Sequence, residues 1–330
     1  MVDVARLAEV SQQTVSRVVN AHPNVRPEVR ERVLEAIERL NYRPNSAARA
    51  LATSRSMNLG VVSFGLAQHG PSVALFGIAE EARRHGYATS LVPLGDLSTE
   101  SFQAAMDHLA DTNVDGVIAL APVHAAYAAL DGLQAQFPMA IFDPAAEEGS
   151  ERIGIDETRG ARLATRHLLE LGHETVWHVR GPRGWKGTDA RVRGWTEELS
   201  SRGLFSPPPF AGDWSTGSGY RAGAEIAHRP EITAVFVAND QMAIGVVKAL
   251  TDLGLRVPED VSVVGFDDIP EAAYVHPSLT TVRLDFDEVG RRCVERILAI
   301  IQNGETTAPN HLIQPELLVR SSTASPRAST

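Results

Sequence analysis

Residues 2–20, VDVARLAEVSQQTVSRVVN, hold two short apolar patterns separated by a turn, and their spacing decides what the N-terminal part of the chain is. In VDVARLAEV the apolar Val4, Leu7 and Ala8 recur at helical intervals behind Asp3, whose charge favours a first helical turn. In SQQTVSRVVN, Val15, Val18 and Val19 share one helical face, and Ser11 precedes them as an N-cap. Gln12, Gln13, Ser16 and Arg17 are left on the opposite face, carrying the groups that hydrogen-bond base edges and phosphates. A third helix is predicted in RPEVRERVLEAIERLN, with Pro27 at its start, a stripe of Val29, Val33, Leu34, Ile37 and Leu40, and Asn41 at its end. Short helices in this order, the second rich in Gln, Ser, Thr and Arg, predict a helix-turn-helix whose second helix enters a DNA major groove.

Charge is unevenly distributed. The 330-residue chain has a formal net charge of -10, yet residues 1–58 hold nine arginines against six acidic residues, so a head of +3 precedes a body of -13. A basic head suits a polyanion, but Arg/Glu-rich helices are more often solvated faces, and it is the order of the segments that carries the assignment. The length suits two or three packing units. No apolar run approaches the roughly 20 residues that span a bilayer, and the first residues lack a secretory pattern, so a cytoplasmic protein is expected. Lone Cys293, in VGRRCVERIL, excludes an internal disulfide and reads as a packing residue.

After NYRPN, the alanine-rich SAARALATSRS reads as a linker, in which Leu51 has no evident core to join and suits a wedge between base pairs in a minor groove. From residue 59, short apolar strands alternate with amphipathic helices. LGVVSF, YATSLVP, DGVIAL and PMAIF belong to a first half, and TVWHV, TAVFVA and VSVVGF to a second. This βαβ alternation predicts a parallel sheet in each half, with ligand bound beyond the carboxyl ends of the strands. Phe64, Asp143, Asn239 and Asp267 stand at those ends. Together with Arg191, Trp214 and Phe286 they offer the carboxylates, amide, guanidinium and rings that bind a polyol and the apolar face of a pyranose. Taken singly, each has a plainer reading. Asp240 is read as a helix cap, and Trp214 alone as core or interface. WKGTD, residues 185–189, reads first as an exposed loop and only second as a wall placing Trp185 and Lys186 over the cleft mouth.

DVARLAEVSQQTVSRVVN, RERVLEAIERLNYRPNSAARAL, ELGH, RVRGW, VANDQMAIG, RVPEDVSVVGFDDI and PSLTTVRLDFDEVG, in this order, resemble the lactose/galactose repressor family of bacterial transcription regulators. The resemblance implies an α/β protein with a helix-turn-helix head (1–44), a hinge helix and linker (45–58), and an effector-binding and dimerisation body (59–330). That body is two-lobed, like a periplasmic binding protein, and made of two doubly wound parallel sheets. It further implies a homodimer, in some members a dimer of dimers, on a palindromic double-stranded operator, with repression controlled by a sugar-like effector and with no cofactor or metal. Matched position by position, it makes Gln12, Gln13 and Arg17 the main base readers. Ser11, Thr14, Ser16, Asn20, Asn24, Tyr42 and Asn45 become backbone or positioning contacts, and Ala48 and Leu51 minor-groove elements. It places Asp143, Arg191, Trp214, Asn239, Asp267 and Phe286 in the effector cleft. Three features depart from the family. Glu9 stands where glycine is usual in the helix-helix turn; Leu284 replaces a polar residue; and Phe64 and Gln68 replace a smaller and an apolar one, so that the expected effector differs from a simple galactoside.

Two other function classes fit less well. HETVWH, residues 173–178, spaces its histidines five apart, which on a helix do not share a face, and TVWHV reads as strand, against a zinc enzyme. GSGYRA, residues 217–222, mimics a dinucleotide loop, but no buried strand leads into it. There is no Gly-x-Ser-x-Gly elbow and no lysine phosphate loop, lysine occurring only at 186 and 248. A sugar-binding protein without a regulatory role is the alternative, and it would have no use for a DNA-reading head.

Overall fold

The computed structural model describes residues 1–19, 24–42, 55–96, 98–120, 137–304 and 311–327, and it divides the chain into compact units Met1–Met57 and Asn58–Thr330. Asn20, Asn45, Ala48 and Leu51, and with them most of the expected hinge and linker, lie outside the described residues. Among the described residues no helix is long and apolar enough to cross a membrane.

The head contains α1 (Val2–Leu7), α2 (Gln12–Val19) and α3 (Pro27–Arg39). Val4, Ala5, Ala8, Val15, Val18, Val33 and Ala36 form its core, with Val19, Ile37 and Tyr42 packed at the edge. The expected stripes are partly corrected. Leu7, Leu34 and Leu40 are 40%, 52% and 43% exposed, and the small Ala5 and Ala36 face inward instead. Leu34 follows Val33 by one residue, about 100° further round the helix, which carries it off the narrow face that a three-helix contact buries. Glu9, in the turn between α1 and α2, has φ of 53°, the left-handed region that favours glycine. Glu9→Gly is expected to stabilise the head by about 0.7 kcal/mol, less than the full left-handed penalty because glycine loosens the unfolded chain. Amide exchange at Val15 and Val18 would then slow about threefold, and unchanged or faster exchange would show that the turn is unstrained.

The body begins at Asn58. Its first lobe is a parallel sheet in the order β2-β1-β3-β4, made of β1 (Asn58–Phe64), β2 (Ala88–Leu94), β3 (Gly116–Leu120) and β4 (Met139–Phe142). It carries α4 (His69–Arg84), α5 (Thr99–Asp111) and α10 (Phe286–Asn303), the last packed along α4 and β4. The second lobe orders its strands β10-β9-β8-β7-β5-β6, from β5 (Trp177–Arg180), β6 (Phe210–Ala211), β7 (Ala234–Val237), β8 (Ser262–Asp267), β9 (Thr280–Arg283) and β10 (Glu316–Leu318). Its pairings are parallel except β9 with the edge strand β10. α6 (Glu157–Glu170) packs with α7 (Lys186–Ser201), and α8 (Thr216–Ala227) with α9 (Asp240–Asp252). Val235, Val237 and Val263 pack with α8 and α9 residues in one cluster, on one face of strands that are mostly apolar and buried along their whole length. The chain crosses between lobes after β4, after β9 and again between α10 and β10, so α10 comes from late sequence but belongs to the first lobe.

GSGYRA lies in α8, where its glycine serves helix packing. A Cβ on Gly219 would stand 2.0 Å from Met242 O on α9, closer than any side chain allows. The two histidines of HETVWH also go separate ways. His173 bonds Thr233 and the Ala324 carbonyl, while His178 stacks on Phe236 with centroids 4.6 Å apart, buried with its pKa pushed down to about 3 by desolvation. Cys293 is fully buried in α10, which lifts its thiol to about 12.

Candidate functional site

In the head, Ser11 Oγ accepts a hydrogen bond from Thr14 N at 3.1 Å and shares another with Thr14 Oγ1 at 2.9 Å, so Ser11 is the N-cap from which α2 starts. Burial of Val15 and Val18 then fixes the rotation of the helix: Gln12, Gln13 and Arg17 are exposed on the far face, with Thr14 and Ser16 half-buried beside them. Asn24 is exposed ahead of α3, and Tyr42 rests partly on the head core.

In the body, a cleft with about 500 Å³ of space free of protein atoms, part of it open to solvent, lies between the lobes at the carboxyl ends of the strands. Gln68, Arg191, Trp214, Asn239, Asp267 and Phe286, all expected there, line it. Phe64 and Asp143 stand just outside the lining: the Phe64 ring is 5.8 Å from the lining Trp185, and Asp143, between the lining residues Phe142 and Pro144, has its Oδ2 2.9 Å from Lys186 Nζ. Leu284 is buried outside the lining.

Arg191 is the centre of the site. It is only 6% exposed, and its Nε donates to Glu157 Oε2 at 2.9 Å, its Nη2 to Asp267 Oδ1 at 3.2 Å, and its Nη1 to the Ala238 carbonyl. Its Cζ lies 4.2 Å from the Phe266 ring centroid and 5.3 Å from that of Trp214. Burial opposes the guanidinium charge, but Glu157 and Asp267 outweigh it, and the net shift of the Arg191 pKa is upward. Desolvation raises both carboxyls despite the arginine, Asp267 to about 6. Asp267 and Trp214 hold φ of 104° and 72°, conformations that cost on the order of 1–3 kcal/mol each and that gather at binding sites.

At the start of α9 the cap expected of Asp240 falls to its neighbour, which lines the cleft as well. Asn239, not Asp240, caps the helix, its Oδ1 accepting from Met242 N at 3.1 Å, while its Nδ2 reaches the Trp214 carbonyl at 3.1 Å. Asp240 is instead fully buried, accepting from Thr281 Oγ1 at 2.6 Å and Ile269 N at 2.9 Å, and burial lifts its carboxyl to about 8. WKGTD is likewise not an exposed loop. α7 starts at Lys186, Trp185 is its half-buried N-cap and lines the cleft, and the Lys186 side chain is 13% exposed against an Asp143 of 4%. Asp143 also receives Arg152 Nη1 at 3.3 Å. Glu157 and His69, the latter edge-on to Phe286 with its pKa lowered by burial, line the cleft without having been singled out in the sequence. Asp156 caps α6, so Glu157 reads locally as an ordinary first-turn acid, and only the fold brings it to Arg191.

Comparison with known proteins matches residues 1–45 to the family model for bacterial regulatory proteins of the lacI family, and residues 165–323 to a periplasmic binding protein-like domain. The lactose operon repressor of Escherichia coli (strain K12) is 34% identical over 330 residues, covering 99% of this chain and 91% of that protein. Among solved structures, the Lac repressor dimer bound to operator and the anti-inducer ONPF superposes with a TM-score of 0.87 at 33% identity, covering 98% of each chain. The complex of the transcriptional regulator CelR with cellobiose gives 0.72 at 31% identity, covering 97% of this chain and 98% of that one. A helix-turn-helix head, a two-lobed α/β body and similarity along both place the chain in the lacI family of bacterial regulatory proteins.

Proposed function

We propose that the protein is a cytoplasmic transcriptional repressor that binds a palindromic DNA operator as a homodimer and changes its operator affinity when a small sugar-like effector occupies the cleft. The observation that carries this proposal is the exposed face of α2, where Gln12, Gln13 and Arg17 stand on a capped helix whose opposite face is locked into the head core. Such side chains make bidentate contacts to adenine and guanine edges. Ser11, Thr14, Ser16, Asn20, Asn24, Tyr42 and Asn45 would set the head on the phosphates, with Ala48 and Leu51 in the minor groove. In the cleft, Arg191, Asn239, Asp267 and Asp143 would meet hydroxyls, and Trp214 and Phe286 the apolar faces of a ring.

Selection from random-sequence DNA supplies the operator, and deletion of residues 1–57 supplies the test. The full chain is expected to enrich a two-fold-symmetric site and to sediment as a dimer, while the deletion loses DNA binding and keeps its response to sugars in thermal melts. Enrichment of no sequence by the full chain would leave the plain sugar-binding protein as the better account.

A further inference from the structure

Two consecutive residues at the start of α7 reach from the second lobe across the cleft mouth. Trp185 packs against the apolar cores of both lobes. Its ring stands between Phe64 of the first lobe, centroids 5.8 Å apart, and Trp214 of the second, 5.7 Å away and edge-on, so three aromatic rings run unbroken from lobe to lobe. Gly65 makes room for it: with φ of 75° it lies in the left-handed region, and a Cβ there would stand 3.0 Å from the tip of the indole. The next side chain, Lys186, ties its ammonium to Asp143, directly after β4 of the first lobe, at 2.9 Å.

We propose that Trp185 and Lys186 are specificity-determining residues of the cleft, forming a clasp that confines the effector to a compact ligand of one sugar ring. This rests on the cleft being the effector site. A single ring would lie beneath the aromatic row, against Arg191, Trp214 and Phe286, which line the cleft, and leave the clasp closed. A second ring leaving by the mouth must displace Trp185 from Phe64 and part Lys186 from Asp143, losing a tilted ring–ring contact and exposing an ion pair that is now largely buried. Lys186 also bears on what enters. Its charge is engaged by Asp143, and Arg191 by Glu157 and Asp267, which suits hydroxyl groups better than an anionic substituent.

The clasp is tested by calorimetry with D-ribose, D-galactose and cellobiose on the wild-type chain and on Trp185→Ala, Trp185→Phe, Lys186→Met and Lys186→Arg, each checked for folding by its melting curve. The ratio of cellobiose affinity to that of the better-bound monosaccharide is expected to rise about tenfold in Trp185→Ala and about threefold in Lys186→Met, and to stay within about twofold in Trp185→Phe and Lys186→Arg. Cellobiose binding that appears only in Trp185→Ala supports the clasp as well. An unchanged ratio in Trp185→Ala while both sugars bind would overturn the clasp and leave the effector site standing, as would a Trp185→Phe ratio equal to that of Trp185→Ala. If no chain binds any of the three sugars, both proposals fall together.

Discussion

Arg17→Ala is expected to weaken binding to the selected operator by about 1–3 kcal/mol, roughly 5- to 150-fold, while random-sequence DNA loses far less. Arg17 projects from the last turn of α2, opposite the buried Val15 and Val18, so its removal leaves the head core untouched. The loss therefore reports recognition and not folding. A guanidinium that grips guanine O6 and N7 discriminates among sequences, whereas one that only neutralises a phosphate does not. In the second case operator and random DNA lose equally, and the slope of log affinity against log salt falls by about one. Gel-shift titrations on both DNAs at two salt concentrations separate the two outcomes, and equal losses would remove Arg17 from the base readers. Gln12 and Gln13, one turn earlier on the same exposed face, make the same test available for adenine contacts.

What was legible in the sequence follows the range of the forces involved. The reading helix could be placed from ten residues, because its cap, period and polar face are set by neighbours within four positions. The central strands β1 and β3 of the first lobe were equally plain, each a run of mostly apolar residues buried on both faces. β9 was not, for the hydropathy of Thr280 and Thr281 argues against burial, yet both are fully buried. Their hydroxyls are satisfied from afar: Thr280 Oγ1 accepts from Arg320 N at 2.9 Å, and Thr281 Oγ1 donates to Asp240 at 2.6 Å. The cap's falling to Asn239 and not to Asp240 has the same origin. Either side chain suits an N-cap, and the choice is made by Ile269 and Thr281, which claim the aspartate. The resemblance to a family supplied five of the cleft-lining residues, Arg191, Trp214, Asn239, Asp267 and Phe286, whereas WKGTD reads only second as a cleft wall, and Glu157 sits at an α-helix start whose local sequence gives no sign of the cleft.

Arg191→Met is expected to cost the body about 3–5 kcal/mol at pH 8, because it leaves Glu157 and Asp267 buried without their shared cation. Methionine replaces much of the side-chain bulk beside Phe266 and Trp214, so the loss is chiefly electrostatic. Its pH dependence separates that cause from simple loss of packing. Asp267 already has its folded pKa raised to about 6, above the ordinary 3.8, so the native state binds the proton more tightly than the unfolded chain does. The stability linked to that proton is fully present below the unfolded value and is lost as pH rises through the folded one. Without Arg191 both carboxyls shift further upward, the window of loss extends past neutrality, and protonation at pH 5 relieves much of the penalty. The melting temperature of Arg191→Met should therefore fall below wild type by roughly 6–15 °C at pH 8 and by clearly less at pH 5. An equal deficit at both pH values would mean that the guanidinium matters as a packing element only. Under conditions where the variant is folded, effector-free operator binding should stay within about 1 kcal/mol of wild type, since the substitution is in the body and the reading helix in the head, while the response to effector disappears. A buried ion triad of this kind is seldom the most stable filling of its space, and apolar residues often do as well. Its presence on a cleft wall, oriented by the Ala238 carbonyl and flanked by aromatic rings, is better accounted for by a ligand whose hydroxyls need fixed donors and acceptors than by the stability of the lobe.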